Sequence, residues 1–355
     1  MRRSEGKRRV TIVEVAAKAG VSLGTVSRVL NNRRDVDREL RRRVVEAIRT
    51  LGYVHVEHGR RAAREVRPIV TFVLGNREFL HPMHARILQG AERLCAEQGY
   101  YLVFKRLEYT ASTPAAQLRL PSLLREHSIA DCLILAGTNY PNLIEATEAA
   151  GVPYVLYRNN LVGKAPREGF DQVRADDEAG SVVAVRYLAR LGHRRICFIG
   201  DISLPWFANR YRAYCAAVKE AGLEPIAQTV GLAEDSFHNG YATTEAILRQ
   251  GVRPTAIFAA SDHVALGVLE QLRRSGLRTP EDCSVVGFDD VPEASLTDPP
   301  LTTVHNPFSE VGRELARMAI EKAIAPCRPQ PEMVLPTELV LRGTTWPCVA
   351  AAAAG

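Results

Sequence analysis

Ser22, Leu23, Gly24, Thr25, Ser27 and Arg28 crowd into one short stretch, Ser22-Leu23-Gly24-Thr25-Val26-Ser27-Arg28. Hydroxyls donate hydrogen bonds to phosphate oxygens, and a guanidinium can grip two acceptors on a guanine edge. Small residues let a helix approach a surface closely. That chemistry suits the major groove, where the second helix of a helix-turn-helix sets its N-terminal residues against base edges. Val26, Val29 and Leu30 fall on the opposite face and are expected to pack against Val15, Ala16 and Ala19. Any small helical bundle would explain those apolar positions. It would not explain the small polar face.

The elements that must hold this helix are legible on either side. Thr11-Ile12-Val13-Glu14 reads as a capping box, opening a helix that runs to about Lys18, and Ala19-Gly20-Val21 makes a tight break. Ser22 is suited to cap a second helix over 23–30. Asp37 caps a third, in which Leu40, Val44, Ala47, Ile48 and Leu51 share a face and Gly52 ends the helix. Charge agrees with a polyanion partner at this end. Residues 1–67 carry 18 Lys/Arg against 8 Asp/Glu, whereas the remainder has 28 against 32. A solvated basic arm is the alternative reading of charge alone.

Beyond the linker-like stretch 54–67 the texture changes. Apolar runs at 69–74, 101–104, 131–136, 153–157, 196–200, 256–261 and 284–288 predict buried strands. Helical stretches such as 83–98, 142–150, 178–191, 210–222, 242–250 and 263–276 separate them. This alternation predicts parallel sheets in an α/β fold, and so many units predict two lobes. Asp262 directly follows the run 256–261, so its carboxylate is expected at a strand's carboxyl end, where open sheets bind ligands. Capping of the next helix is the competing role. Asp289 and Asp290 end another run and read as structural, through capping and interlobe contact; Asp176 and Asp177 read as a helix cap.

The 7 cysteines show no CxxC or metal-ligand spacing, and several sit in apolar runs, which fits a reducing interior. The start MRRSEGKRRV lacks an apolar signal segment, and no run reaches a membrane span of about 18 residues, so a cytoplasmic protein is expected. No GxxxxGK(S/T), HExxH, GxSxG or strand-following GxGxxG occurs, so the reading is of a non-enzyme without cofactor or metal.

The motif Thr11-Ile12-x-x-Val15-Ala16-x-x-Ala19-Gly20-Val21-Ser22-x-x-Thr25-Val26-Ser27-Arg28-Val29-Leu30-Asn31 resembles the headpiece of the lactose/galactose repressor (LacI/GalR) family. The resemblance continues through Leu191-Gly192-His193-Arg194-Arg195-Ile196, Ser261-Asp262-x-x-Ala265-Leu266-Gly267, Gly287-Phe288-Asp289-Asp290 and Pro299-Pro300-Leu301-Thr302-Thr303-Val304. It implies an N-terminal helix-turn-helix (1–53), a hinge (54–67), a two-lobed periplasmic-binding-protein-like body (68–348) and a disordered tail (349–355). One lobe would span about 68–173 and 306–335, the other about 174–304 and 336–348. It further implies a homodimer on a pseudo-palindromic operator, acting as a repressor of carbohydrate genes under a small sugar-like effector. A sugar-binding receptor without a DNA role is the alternative.

By position, the resemblance assigns Leu23, Gly24 and Arg28 to bases, and Thr11, Ser22, Thr25, Ser27 and Asn31 to phosphates. In the hinge the sequence departs from the family. The usual Pro-Asn start reads Val54-His55-Val56, and Ala62 stands where a Leu normally wedges into the minor groove. A methyl unstacks bases far less than a leucine, so weaker bending is expected. Arg60, Arg61 and Arg64 remain to meet minor-groove edges or phosphates. In the cleft, the resemblance assigns Arg210 and Asp262 to the effector, with Trp206, on a loop just before Arg210, as a stacking platform or core residue. Phe237, Asn159 and Asn306 follow by topology.

Overall fold

The computed structural model describes residues 10–30, 36–51, 53, 68–77, 81–118, 120, 131–163, 171–228, 236–325 and 332–348. Asn31, Arg60, Arg61, Ala62 and Arg64, assigned above to DNA, lie outside the described residues.

The N-terminal unit contains α1 (Ile12–Ala19), α2 (Leu23–Leu30) and α3 (Arg38–Leu51). The capping box forms as expected: the Thr11 N–H donates to Glu14 Oε2 at 2.7 Å, and the Glu14 N–H donates to Thr11 Oγ1 at 3.3 Å. Gly20 ends α1 in the left-handed region at φ 63°. A side chain there would be strained, and its Cβ would also meet the Arg43 guanidinium at 2.5 Å. Arg43 locks the turn by donating to the carbonyls of Ala19 at 2.6 Å and Gly20 at 3.0 Å. Asp37 Oδ1 accepts from the N–H groups of Glu39 and Leu40, capping α3. Val15, Ala16, Ala19, Val26, Val29, Val44 and Ala47 form the buried core of this unit.

The larger part runs β1 (Ile69–Gly75), α4 (Pro82–Glu97), β2 (Tyr101–Leu107), β3 (Cys132–Gly137), α5 (Pro141–Ala150), β4 (Tyr154–Tyr157), β5 (Gln172–Ala175), α6 (Asp177–Arg190), β6 (Ile196–Ile199) and α7 (Pro205–Glu220). It continues through β7 (Ile226–Gln228), α8 (Phe237–Arg249), β8 (Ala256–Ala259), α9 (Asp262–Arg274), β9 (Ser284–Asp289), β10 (Thr302–His305), α10 (Phe308–Ile324), β11 (Met333–Leu335) and β12 (Glu338–Val340). The strands make two sheets, ordered β11-β5-β4-β3-β1-β2 and β12-β10-β9-β8-β6-β7. Every pairing is parallel except β10 with β12. The chain crosses between sheets after β5, returns after β10 and crosses again after β11. We call the body built on the first sheet lobe 1 and the other lobe 2.

Strands β3, β4, β6, β8 and β9 are buried along their whole length, which is why their sequences read as unbroken apolar runs. Other strands carry mixed sequences such as Gln172-Val173-Arg174-Ala175 and Thr302-Thr303-Val304-His305, and have no comparable signature. Each lobe has one close helix pair made possible by glycine. A Cβ on Gly90 of α4 or Gly312 of α10 would strike the partner helix's backbone, at Ser309 and Ile87 respectively; Gly240 of α8 and Gly267 of α9 repeat the arrangement in lobe 2.

Candidate functional site

The first site is the outer face of α2. Ser22, Leu23, Gly24 and Arg28 are exposed, Thr25 and Ser27 are half-buried, and Val26 and Val29 point inward. Leu23 keeps 49% of its surface exposed, an apolar side chain offered to solvent at a helix start. A Cβ on Gly24 would meet only Ser22 Oγ, at 3.7 Å. Packing inside the unit therefore does not call for glycine at this position, whereas close approach of an external surface does. Ser22 caps α2 through its Oγ, which accepts from the Thr25 N–H at 3.1 Å and lies 3.0 Å from Thr25 Oγ1. Thr11 is exposed and serves as the α1 cap. Both caps also present backbone N–H groups at helix starts, which suit phosphate.

The second site lies where the carboxyl ends of the two sheets face each other. Arg210 of α7 is 3% exposed and sits at its centre. Its Nε donates to Asp177 Oδ2 at 3.1 Å, its Nη2 to Asp289 Oδ1 at 2.9 Å, and its Nη1 to the Ala260 carbonyl at 2.6 Å. The guanidinium carbon also lies 3.8 Å from the Phe288 ring centre. Asn306, on the second crossing, donates from Nδ2 to Asp177 Oδ1 at 3.2 Å, while its own buried Oδ1 has no hydrogen-bond partner among the described residues. Asp289, which ends β9, and Asp290, which follows it, have φ of 107° and 55°, a backbone conformation unusual for side-chain-bearing residues and typical of functional sites. Burial pushes the phenol of Tyr157, at the end of β4, well above its ordinary pKa, and the carboxylates of Asp177 and Asp289 push it the same way.

The lobes also touch around this centre. Arg77, after β1, stacks its guanidinium 4.0 Å from the Trp206 ring centre. Arg86 of α4 donates to the Asp290 carbonyl at 3.0 Å. The Asp290 carboxylate is held by His305 at 3.0 Å and Arg342 at 2.6 Å, which draw its pKa down to about 2.

Several of the residues singled out in the sequence also have contacts of their own within the protein. Asp262 is fully buried and aims into lobe 2, where Oδ1 accepts from the Thr303 hydroxyl at 2.5 Å and Oδ2 from the Val291 N–H at 2.8 Å. It ties α9 to β10 and to the segment after β9; the carboxylate in contact with Arg210 is Asp289. Asp290 does make the interlobe contact expected of that pair. Asp177, read as a cap, is in the Arg210 cluster, and Asp176 alone supplies the cap by accepting from the Ala179 N–H. Asn159 spends its amide on the backbone of Ala175, bridging β4 to β5. Phe237 is 46% exposed and stacks on Tyr241, beside Leu266, Arg273, Arg274 and Pro299 on an outer surface away from Arg210. Trp206 lies in the first turn of α7, which starts at Pro205, and not on a loop.

Burial raises the Asp262 pKa to about 7, against the lowering effect of its two hydrogen bonds. The folded state then holds a proton that the unfolded state releases near the ordinary aspartate value. Stability from this group is present at low pH and falls as pH rises toward about 7. Asp262→Asn is expected to flatten that decline. Urea unfolding at a series of pH values checks it, and parallel curves for the two proteins would refute it.

Comparison with known proteins agrees with this geometry. Residues 11–55 match the family model for bacterial regulatory proteins of the lacI family, and residues 185–345 match a periplasmic binding protein-like domain. The chain is 33% identical over 342 residues to the HTH-type transcriptional regulator CelR of Thermobifida fusca, covering 95% of this chain and 99% of that one. This chain belongs to the lacI family. It is also 31% identical to the HTH-type transcriptional repressor CytR of Escherichia coli K12, over 94% of this chain and 96% of that one. Among solved structures it resembles a CelR–cellobiose complex (TM-score 0.67, 30% identity, 95% of this chain and 100% of the other). It likewise resembles a Lac repressor dimer bound to operator and the anti-inducer ONPF (TM-score 0.67, 25% identity, 96% and 100%). As a lacI-family transcriptional regulator, the chain uses its helix-turn-helix for DNA. Among the described residues no helix is long and apolar enough to cross a membrane.

Proposed function

We propose that this regulator works in the cytoplasm as a homodimer on a pseudo-palindromic operator, and that a small sugar-like effector in the interlobe cleft sets its grip. The observation that carries the effector reading is Arg210, buried between Asp177 and Asp289 where strand ends of the two lobes converge. Charged groups held rigid by one another are suited to paired hydroxyls, because their geometry is fixed before the ligand arrives. Effector binding would change operator affinity only through different affinity for two lobe arrangements. The Arg77–Trp206 and Arg86–Asp290 contacts are the interlobe contacts that such a change would remake. The relatives bear the names of regulators, which supports a non-enzymatic role.

The test is to incubate the purified protein with sheared genomic DNA at physiological salt and sequence what stays bound. A pseudo-palindrome is expected, with occupancy that changes on adding one of a panel including cellobiose and ribose. A bound motif indifferent to every sugar would retain the DNA reading and sink the effector. Recovery of no motif would sink the operator reading.

The hinge can be tested with the same operator. Ala62→Leu is expected to increase DNA bending or tighten binding, since a larger wedge helps offset unstacking of a few kcal/mol per step. Unchanged mobility in a circular-permutation gel would remove Ala62 from the wedge position.

A further inference from the structure

The lobe 1 wall of the cleft holds a second cluster, apart from Arg210 and its carboxylates, and it is basic. Arg77 lies over Trp206. His81 fills the N-cap position of α4 without a side-chain capping bond, and His84 is in that helix's first turn. The rings of His81 and His84 are 5.5 Å apart, and His81 is 6.2 Å from His263 at the start of α9 in lobe 2. His84 is 2% exposed, and its Nδ1 has no hydrogen-bond partner. Its Nε2 lies 3.5 Å from Nδ2 of Asn160, just beyond the carboxyl end of β4. An amide nitrogen donates, so Nε2 accepts, and the neutral ring carries its hydrogen on Nδ1. Among the described residues Nδ1 is thus a buried polar atom with nothing to bond, a situation proteins rarely leave unfilled. Burial holds the His84 pKa well below its ordinary value, and His81 and Arg77 push it the same way. Glu78, between them in sequence, lies outside the described residues.

An uncapped helix N-terminus, a guanidinium and a buried imidazole nitrogen on the same wall of the cleft have a common complement. We propose that this cluster binds an anionic group on the effector, a phosphate or carboxylate carried by its sugar-like body, with Arg77 and His84 Nδ1–H as the donors. The proposal rests on the reading of the cleft as the effector site. Arg77 would supply paired, charge-assisted donors, and the α4 N-terminus would add its unpaired amides and positive dipole end. The Trp206 ring beneath Arg77 holds the guanidinium in place. The ligand would thus lie lengthwise between Arg210–Asp289 and the α4 start, its hydroxyls at one end and its charge at the other.

Sulfate serves as the probe, because it keeps its charge across neutral pH. In the full chain, Trp346→Phe leaves Trp206 as the sole tryptophan, since the sequence has 2. Sulfate is expected to change Trp206 emission saturably, beyond chloride at matched ionic strength. Arg77→Met and His84→Phe should each weaken that binding by roughly tenfold. Glucuronate and glucose 6-phosphate are expected to bind more tightly than glucose, and whichever leads identifies the charged group as carboxylate or phosphate. Absence of a saturable sulfate response would overturn the proposal, as would equal affinity in wild type and both variants. Operator binding separates this from the underlying reading. A charged sugar that shifts operator affinity equally in wild type and Arg77→Met would keep the effector cleft and overturn the anion site. Saturable sulfate binding with no sugar of either kind shifting operator affinity would keep the anion site and overturn the cleft's regulatory role.

Discussion

Arg210→Met is expected to abolish the effector's control of operator binding and to lower stability by about 3–5 kcal/mol, the usual cost of stripping one partner from a buried ion cluster. Its side chain is 3% exposed, and the carboxylates it pairs with are 6% and 9% exposed. Removing the guanidinium leaves Asp177 and Asp289 buried near each other without their shared counter-charge. Burial and mutual repulsion then favour their protonated forms. The variant's deficit should therefore shrink as pH falls, because the folded variant takes up protons that the unfolded chain does not. Adding Asp289→Asn to the variant should recover part of the loss for the same reason. Arg210→Lys should recover little, since an ammonium cannot reproduce the fork that spans two carboxylates and a carbonyl. Denaturant unfolding at pH 5 and pH 7.5, run beside effector-dependent operator release, checks all of this. A stable variant with a normal effector response would remove Arg210 from the site.

Arg28→Ala is expected to cost about 1–3 kcal/mol of discrimination between operator and random DNA, the value of one good base contact. Arg28 is exposed on the face of α2 that carries Leu23 and Gly24, and among the described residues its side chain makes no hydrogen bond to the rest of the protein. Its loss should leave the fold untouched. Nonspecific binding should keep most of its steep salt dependence, because the other basic residues of the N-terminal region still release counterions. Titration of operator and scrambled duplexes at two salt concentrations separates these effects. An unchanged preference would mean that Arg28 contacts phosphate instead.

These two arginines illustrate different degrees of legibility. The Arg28 helix could be read from sequence because each feature that defines it is local. A cap, a turn and an apolar stripe at helical spacing lie within a few residues of one another, and Thr11, Ser22 and Asp37 all cap as expected. The buried strands were equally plain, since burial on both faces excludes polar residues. Arg210 was found through a resemblance in sequence; its partners were not.

Asp262 and Asp289 show the limit. Both carboxylates follow apolar strands, so composition and position treat them alike. Asp262 opens a helix and turns back toward Val291 and Thr303, whereas Asp289 ends its strand with a positive φ that brings it to Arg210. The direction of a side chain at a strand end depends on a backbone dihedral and on neighbouring strands far along the chain. The contacts of Asp177 and Asn159 are hidden from the sequence for the same reason, as their partners lie 33 and 16 residues away. The sequence alone determined the three-helix DNA-binding unit, its exposed reading face and the α/β character of the body, because local periodicity and burial govern these. Tertiary structure alone decided which polar residues meet across the cleft, since that depends on how two sheets, joined by three crossings, present their carboxyl ends to each other.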